Sequence, residues 1–165
     1  MNVEFTNMVM ITDPQTGKVA VIDRVKSWCG YAFPGGHVKS REAFYDSAVR
    51  EVYEETGLTV SMLENCGIIQ WIHANTGSRY IVVCYRTDSF TGTLKEKCDE
   101  GRLCWMTLDE LENTPSENDF KKYIDIFKGR YVEAVGIYND VKNLEFKYIE
   151  RNPNEKNTCY KRTQS

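Results

Sequence analysis

The sequence predicts an α/β (α+β) domain with a mixed β-sheet. Short β-prone runs flank one long helical segment early in the chain, and further helical segments come late. At 165 residues with 41% hydrophobic side chains, the chain can bury one core. We therefore predict a single domain over residues 1–150, followed by a flexible tail over 151–165 that lacks apolar periodicity.

The first third of the chain contains two β-prone runs, at residues 3–12 and 18–24. The turn signal at 13–17 separates them, so we predict a hairpin. An aromatic segment at 28–33 then ends at a proline and two glycines, Gly35 and Gly36. Paired glycines permit a tight turn and a close approach of the backbone to a ligand.

Residues 41–56 contain neither glycine nor proline, and Gly57 follows them, which predicts a helix that ends at Gly57. The second half of the chain contains further strand and helix signals of the same kinds. It predicts a hairpin of strands 66–74 and 79–86, a strand near 101–106, helices near 107–113 and 117–128, and an additional hairpin over 130–150.

The composition excludes several classes of function. A net charge of −3 and a pI of about 5.5 disfavour a protein that coats long nucleic acid. No apolar run approaches the roughly 18 residues of a membrane span, and the N-terminus lacks the pattern of a signal peptide, so we expect a cytoplasmic location and no membrane partner. The six cysteines show no CxxC pair, and we expect reduced thiols rather than a zinc site.

The predicted helix carries an acidic face. At about 100° per residue, Glu51, Glu54 and Glu55 share one side of it. The opposite side carries an apolar stripe that we expect to dock on the sheet, formed by Tyr45, Val49, Val52 and Tyr53.

Three like charges within one turn repel each other, so a partner for them is expected. A divalent cation such as Mg²⁺, or alternatively Mn²⁺, suits carboxylate oxygens and keeps positions open for phosphate oxygens. The alternative is a solvated acidic surface that Arg50 neutralises in part, at i,i+4 to Glu54.

The glycine pair and the acidic helix together resemble a known motif. Residues 36–58 match the Nudix box, GX5EX7REUXEEXGU, without a departure. The matching residues are Gly36, Glu42, Arg50, Glu51, Val52, Glu54, Glu55, Gly57 and Leu58.

The resemblance implies an α/β/α sandwich and a metal-dependent pyrophosphohydrolase acting on a nucleoside diphosphate linked to another group. It implies that Glu51, Glu54 and Glu55 are catalytic metal ligands, one of them also a candidate base. Arg50 would orient a carboxylate, and Glu42 would hold the helix or pair with Arg50. Gly36 would form the loop that receives metal and phosphate. Metal ions supply the charge neutralisation that phosphoanhydride hydrolysis needs.

A further carboxylate from a later loop is also typical of MutT-like members of this family. Glu100, a few residues before Trp105, resembles that metal ligand. Asp99 and Glu96 are alternatives, and a polar turn without a site role is another.

The substrate-binding residues are less clear from the sequence. Arg24 would contact a phosphate or form a salt bridge, and His37 is expected to be a loop residue. Asn118 resembles an asparagine that reads a purine edge in MutT-like enzymes, or it caps a helix. Several aromatic side chains are candidates either for stacking on a base or for the core, namely Trp28, Phe33, Trp71, Tyr85 and Trp105.

The markers of two subfamilies, a proline in ADP-ribose hydrolases and a tyrosine in dinucleoside-polyphosphate hydrolases, are absent from the stretch at 73–76. By elimination we predict a small-nucleotide substrate, a (d)NTP such as 8-oxo-dGTP, cleaved to the monophosphate and pyrophosphate. The alternatives are a nucleotide sugar, ADP-ribose, an RNA 5′ end or a non-nucleotide diphosphate, and a non-catalytic module that senses a nucleotide. The hairpin at 130–150 is expected to shape the substrate mouth, form a homodimer contact or cover a sheet edge.

Overall fold

The computed structural model describes residues 2–26, 29–114 and 119–151, and all structural statements refer to these. The first half contains β1 (Val3–Ile11), β2 (Val19–Arg24), β3 (Gly30–Ala32), α1 (Phe44–Thr56), β4 (Thr59–Val60) and β5 (Glu64–His73). The second half contains β6 (Arg79–Thr87), β7 (Phe90–Thr91), β8 (Gly101–Met106), α2 (Leu108–Asn113), a 3₁₀ helix (Asp119–Tyr123), α3 (Ile124–Phe127), β9 (Tyr131–Tyr138) and β10 (Asn143–Glu150).

The main sheet has five strands in the order β1-β6-β5-β9-β10. The pairs β1–β6 and β5–β9 are parallel, whereas β6–β5 and β9–β10 are antiparallel, so the sheet is mixed. A second, antiparallel sheet has the order β3-β2-β8, and β4 pairs with β7. The mixed sheet that the sequence predicts is confirmed.

Helices cover both faces of the main sheet. On one face Val9 and Val83 pack with Val52 of α1, and on the other Met10 and Cys84 pack with α3. Alternate residues of a strand point to opposite faces, so these two clusters lie on opposite sides of the sheet. The α/β/α arrangement is confirmed.

Most of the predicted strand pairs are present, but the first hairpin is wrong. Strands β5 and β6 form the predicted hairpin, β8 lies where the strand near 101–106 was expected, and β9 and β10 form the additional hairpin. Strand β1 instead pairs with β6, and β2 pairs with β3 and β8. The turn after β1 does form, with Asp13 N–H donating to Lys18 O at 2.8 Å, but only one bridge, Thr12 to Val19, follows it. After the turn, the chain continues as β2 in the second sheet. A local turn signal does not indicate such a change of sheet.

Helix α1 begins at Phe44, three residues later than predicted, and ends at Gly57 as predicted. Gly57 has a φ of 77°, and its N–H donates to Tyr53 O, which is a left-handed C-cap. Val52 is buried, but Tyr45 and Tyr53 are 41% and 58% exposed, so their expected docking is wrong. The small Ala48 and Val52 bring the helix close to the sheet, and the two tyrosines are left at the margins.

The late helices are shorter than predicted. Helix α2 has a capping box in which Thr107 Oγ1 accepts from Glu110 N–H. The predicted helix at 117–128 is a 3₁₀ helix followed by one turn of α3 over its described part. None of the helices in the described ranges is long and apolar enough to span a membrane. The five cysteines in those ranges are all free thiols, and Cys159 lies outside them.

Candidate active site

A cleft of about 840 Å³ lies on the face of the main sheet that α3 covers. Four acidic side chains line it: Glu4 of β1, Glu51 and Glu55 of α1, and Glu100 of the loop before β8. The other lining residues include the Gly35–Gly36 loop and Arg24, together with Asn7, Phe33, Trp71, Tyr80, Phe120, Tyr123 and Tyr138. The cleft therefore combines carboxylates, a glycine loop and aromatic rings.

Arg50 holds the acidic side chains around it in place. Its Nε and Nη2 donate to the two oxygens of Glu42 at 2.7 and 2.8 Å, a bidentate pair. Its Nη1 donates to Glu51 Oε1 at 2.7 Å, and Nη2 also donates to His37 O at 3.1 Å. Arg50 lowers the pKa of Glu42 to about 2, and these carboxylates raise the pKa of Arg50. Arg50 thus fixes the orientation of Glu51 at the wall of the cleft.

Glu55 connects helix α1 to the glycine loop inside the cleft. Its Oε2 accepts a hydrogen bond from Gly35 N–H at 2.9 Å. Burial raises the pKa of Glu55 to about 7, and the negative charges of Glu51 and Glu100 also raise it, against the effects of Gly35 N–H and Arg24. The positive groups around the ionised Glu55 carboxylate therefore do not offset its burial and the repulsion from Glu51 and Glu100.

The two glycines are required by close contacts. The loop runs beside β1, where Asn7 N–H donates to Gly36 O at 2.9 Å. A Cβ at Gly35 would collide with the carbonyl oxygen of Asn7, and one at Gly36 would lie 2.5 Å from the carboxylate of Glu51. A side chain at Gly35 would push the loop away from β1, and one at Gly36 would push it away from the Glu51 carboxylate.

Glu100 forms an ion pair with Arg24 at the end of β2. The alternatives Asp99 and Glu96 do not line the cleft. Glu54 does not line it either, although it shares a helix face with Glu51 and Glu55. Its side chain is 53% exposed and pairs with Arg50 at 3.2 Å and with Lys39 at 4.0 Å. The structure thus brings together two of the three box glutamates and Glu100.

The aromatic candidates divide between cleft and core. Phe33 lines the cleft and packs edge-to-face against Phe120 and Phe127, and Trp71 lines it as well. Tyr85 and Trp105 pack instead with the cluster beneath α1, on the opposite face of the sheet. Trp28 and Asn118 lie outside the described residues.

Several residues of the cleft were missed by sequence reasoning, among them Asn7, Tyr80, Tyr123 and Tyr138. They come from four separate elements, and none lies within the recognised motif. Gly136, an interior glycine of β9, is a usable signal, because glycine in a strand often marks a close approach by another group.

Comparison with known proteins identifies the family. The NUDIX domain profile matches residues 5–126. The chain belongs to the Nudix family. It is 30% identical over 114 residues to an uncharacterized Nudix hydrolase, YvcI, of Bacillus subtilis, covering 67% of this chain and 69% of that protein. It is 33% identical over 84 residues to the oxidized purine nucleoside triphosphate hydrolase of Danio rerio, covering 51% of each chain.

The fold of this Nudix hydrolase is similar to that of solved MutT proteins. A MutT protein from Bacillus halodurans superposes with a TM-score of 0.73 at 22% identity, over 88% of this chain and 97% of that one. Nudix hydrolases act on small nucleotide substrates and generally use divalent metals. The prediction of a Nudix-type hydrolase is therefore confirmed.

The cleft fits a divalent cation by its chemistry. Glu51, Glu55 and Glu100 offer only oxygen donors, as Mg²⁺ and Mn²⁺ prefer. A cation beside them would offset the repulsion and burial that raise the pKa of Glu55. In the present arrangement, no three His, Cys, Asp or Glu side chains of the described residues converge on one metal position. Glu51 and Glu54 are both paired with Arg50 in this arrangement.

Proposed function

We propose that this Nudix hydrolase cleaves a phosphoanhydride bond of a nucleoside triphosphate, such as 8-oxo-dGTP, to give the monophosphate and pyrophosphate. We assign the activity to residues 1–150 and the role to sanitation of a cytoplasmic nucleotide pool. The proposal rests on one observation: Glu51, Glu55 and Glu100 line the same cleft as several aromatic rings. One site therefore offers groups for a charged phosphate chain and for a planar base.

In this proposal Glu51, Glu55 and Glu100, with the Gly36 carbonyl, hold Mg²⁺, for which Mn²⁺ can substitute. When bound, the metal would neutralise charge on the phosphate oxygens and position the attacking water. Glu54 would join this set only after its side chain turned from Arg50 and Lys39 toward the cleft.

The protein side chains have separate roles. Glu55 is the candidate base, since its carboxylate lines the cleft beside Glu51 and Glu100 and accepts a hydrogen bond from the glycine loop. Arg50 orients Glu51 and, through Glu42, ties the loop to the helix. The Gly35–Gly36 backbone allows a phosphate to approach these groups. Arg24 lines the cleft and supplies positive charge beside Glu100.

The choice of substrate is supported by two observations. The zebrafish relative is an oxidized purine nucleoside triphosphate hydrolase, and the net charge of −3 disfavours a long RNA substrate. The box glutamates are all present, which favours catalysis over a module that only senses a nucleotide.

A substrate panel with Mg²⁺ tests the proposal. It comprises the (d)NTPs, 8-oxo-dGTP, ADP-ribose, nucleotide sugars, a dinucleoside polyphosphate and a 5′-triphosphorylated RNA, with analysis of the products. We expect metal-dependent release of pyrophosphate from a triphosphate, loss of most turnover in Glu55→Gln, and normal turnover in Asp46→Asn. Asp46 is a suitable control because it is an exposed acid of the same helix outside the cleft.

If ADP-ribose, a nucleotide sugar or RNA is the one compound turned over, that compound defines the substrate class in place of a nucleoside triphosphate. Binding of nucleotide without any turnover would favour the sensing module. Full activity in Glu55→Gln would contradict the assigned site.

A further inference from the structure

One face of the main sheet is covered by a helix over only part of its width. Trp71 of β5 lines the cleft, and Gly136 of β9 lies opposite it in the strand register. Because alternate residues of a strand point to opposite faces, Gln70 and Val135 point to the other face, where α1 packs on β1 and β6. Helices α2 and α3 pack in the cluster on the cleft side. Among the described helices, none shares a core cluster with the residues of β5, β9 and β10 on this face.

This part of the sheet, which we name the outer face, is largely apolar. Its aliphatic side chains come from four adjacent strands and belong to neither core cluster: Ile68 and Ile72 of β5, Ile81 of β6, Val135 and Ile137 of β9, and Ile149 of β10. Ile149 is 42% exposed, and Phe5 at the margin of the face is 43% exposed. An apolar patch that continues across several strands is typical of an interaction surface.

A chain of three partly buried polar side chains crosses the outer face. Arg79 Nη1 donates to Gln70 Oε1, and Gln70 Nε2 donates to Glu133 Oε1. The register places Arg79 beside Ile72, one strand away from β5, and Glu133 beside Ile68, one strand away on the other side. Gln70 is therefore the midpoint of a diagonal with a positive end at Arg79 and a negative end at Glu133.

The charges of this diagonal are complementary to those of a second copy. If two outer faces pack on each other, a two-fold axis that runs between them over Gln70, at right angles to the diagonal, places Arg79 of each copy over Glu133 of the other. Cationic and anionic ends then meet twice in one interface.

The same rotation also matches the apolar side chains. It brings Ile72 over Val135 of the other copy and Ile68 over Ile81, within about 3 Å at the usual spacing of strands and residues in a sheet. Apolar side chains around a central arginine are the composition typical of the middle of a protein interface.

We propose that the outer face binds a second copy of this chain and forms a two-fold symmetric dimer. Four strands at about 4.8 Å each and the eight residues of β9 at about 3.4 Å each give a face of about 500 Å². This area is below the standard size of about 800 Å² per partner, so the dimer should dissociate at low protein concentration. Of the residues named on the outer face, Arg79 alone also lines the cleft, so both clefts stay open in the dimer.

Sedimentation velocity of the full chain tests the dimer, over a range of about 5 to 500 µM. We expect the mass to rise from that of one chain to that of two. Ile137→Lys, which places a charge among the aliphatic side chains, should raise the dissociation constant at least about tenfold. Asp88→Arg is the control, because Asp88 is an exposed acid just after β6 and outside the outer face, and it should dimerise as the unmutated protein does.

Exchange of the two charges tests the symmetry. Glu133→Arg places two cations opposite each other, and Arg79→Glu places two anions opposite each other, so each variant alone should dimerise at least about tenfold more weakly. An equimolar mixture of the two variants restores both opposite-charge pairs and should form a heterodimer. This mixture remains informative if Ile137→Lys does not fold, and circular dichroism checks the fold of each variant.

Three results would overturn the proposal. Monomers at every concentration would leave residues 152–165 or another protein as the occupant of the outer face. Unchanged dimerisation of a folded Ile137→Lys would place the contact elsewhere, such as the free edge of β10. Two folded charge variants that do not associate in the mixture would refute the pairing of Arg79 with Glu133 of the second copy.

Discussion

Replacing Glu55 by glutamine should stabilise the metal-free protein, by an amount that increases with pH. Burial and neighbouring acids raise the pKa of Glu55 from 4.5 to about 7 in the folded state. A raised carboxyl pKa means that stability is lost as pH rises from the unfolded-state value through the folded-state value. Glutamine keeps an oxygen for the Gly35 N–H and does not ionise.

The size of the effect follows from the two pKa values. Relative to a carboxyl with an unshifted pKa, the raised pKa of Glu55 lowers the free energy of unfolding by about 3 kcal/mol at pH 8 and by about 1 kcal/mol at pH 5. The difference in free energy of unfolding between Glu55→Gln and the unmutated protein should therefore grow by about 2 kcal/mol between these pH values. Titrating groups that do not interact with Glu55 are common to both proteins, and their contributions cancel in this difference.

Urea denaturation in EDTA at pH 5, 6, 7 and 8 measures the difference, with equal m-values as the check on two-state unfolding. Addition of Mg²⁺ should then stabilise the unmutated protein by about 2.7 kcal/mol at one hundred times its Kd, and Glu55→Gln by much less. A difference that stays constant from pH 5 to pH 8, or that falls with pH, would refute the assigned environment of Glu55.

Three further predictions concern groups around the site. Arg50→Lys removes the bidentate pair with Glu42, so Mg²⁺ affinity measured by calorimetry should fall about 10- to 100-fold, and an unchanged affinity would contradict the positioning role. Arg24→Ala removes a charge that lowers the pKa of Glu55, so the acidic limb of the pH–activity profile should move to higher pH, and a shift to lower pH would count against this coupling. Gly57→Ala places a side chain at a φ of 77°, so the free energy of unfolding should fall by about 1 kcal/mol in urea titrations, whereas no change would show that the cap is not under strain.

The part of the site that could be predicted is the part encoded locally. The residues from Gly36 to Gly57 lie within one short segment, and helical periodicity alone places Glu51 and Glu55 on a shared face. The same periodicity includes Glu54, which the structure turns toward Arg50 and Lys39. Contacts from outside the helix distinguish these glutamates: Glu51 and Glu55 contact the Gly35–Gly36 loop, whereas Glu54 pairs with Arg50 and Lys39.

Strand partners were predictable only where a short turn joins them. Strands β5 and β6 are consecutive and form the expected hairpin. Strand β1 also has a turn after it, yet it pairs with β6, and Val3 lies opposite Arg79. The consecutive residues Val9, Met10 and Ile11 of β1 are all buried, so both faces of the strand are apolar there and its pattern does not indicate a partner. The choice of partner depends on the assembly of both sheets rather than on the turn.

The contact between Trp71 and Gly136 shows how far a sequence signal extends once the sheet order is known. Glu4, Tyr80, Trp71, Gly136 and Phe146 form one row across all five strands of the main sheet. Only Gly136 in this row has no side chain, and the indole of Trp71 occupies the space above it. An interior glycine in β9 is costly for a strand, and this contact supplies a reason for it. The sequence therefore contains the glycine and the tryptophan as separate signals, and the parallel pairing of β5 with β9 turns them into one wall of the cleft.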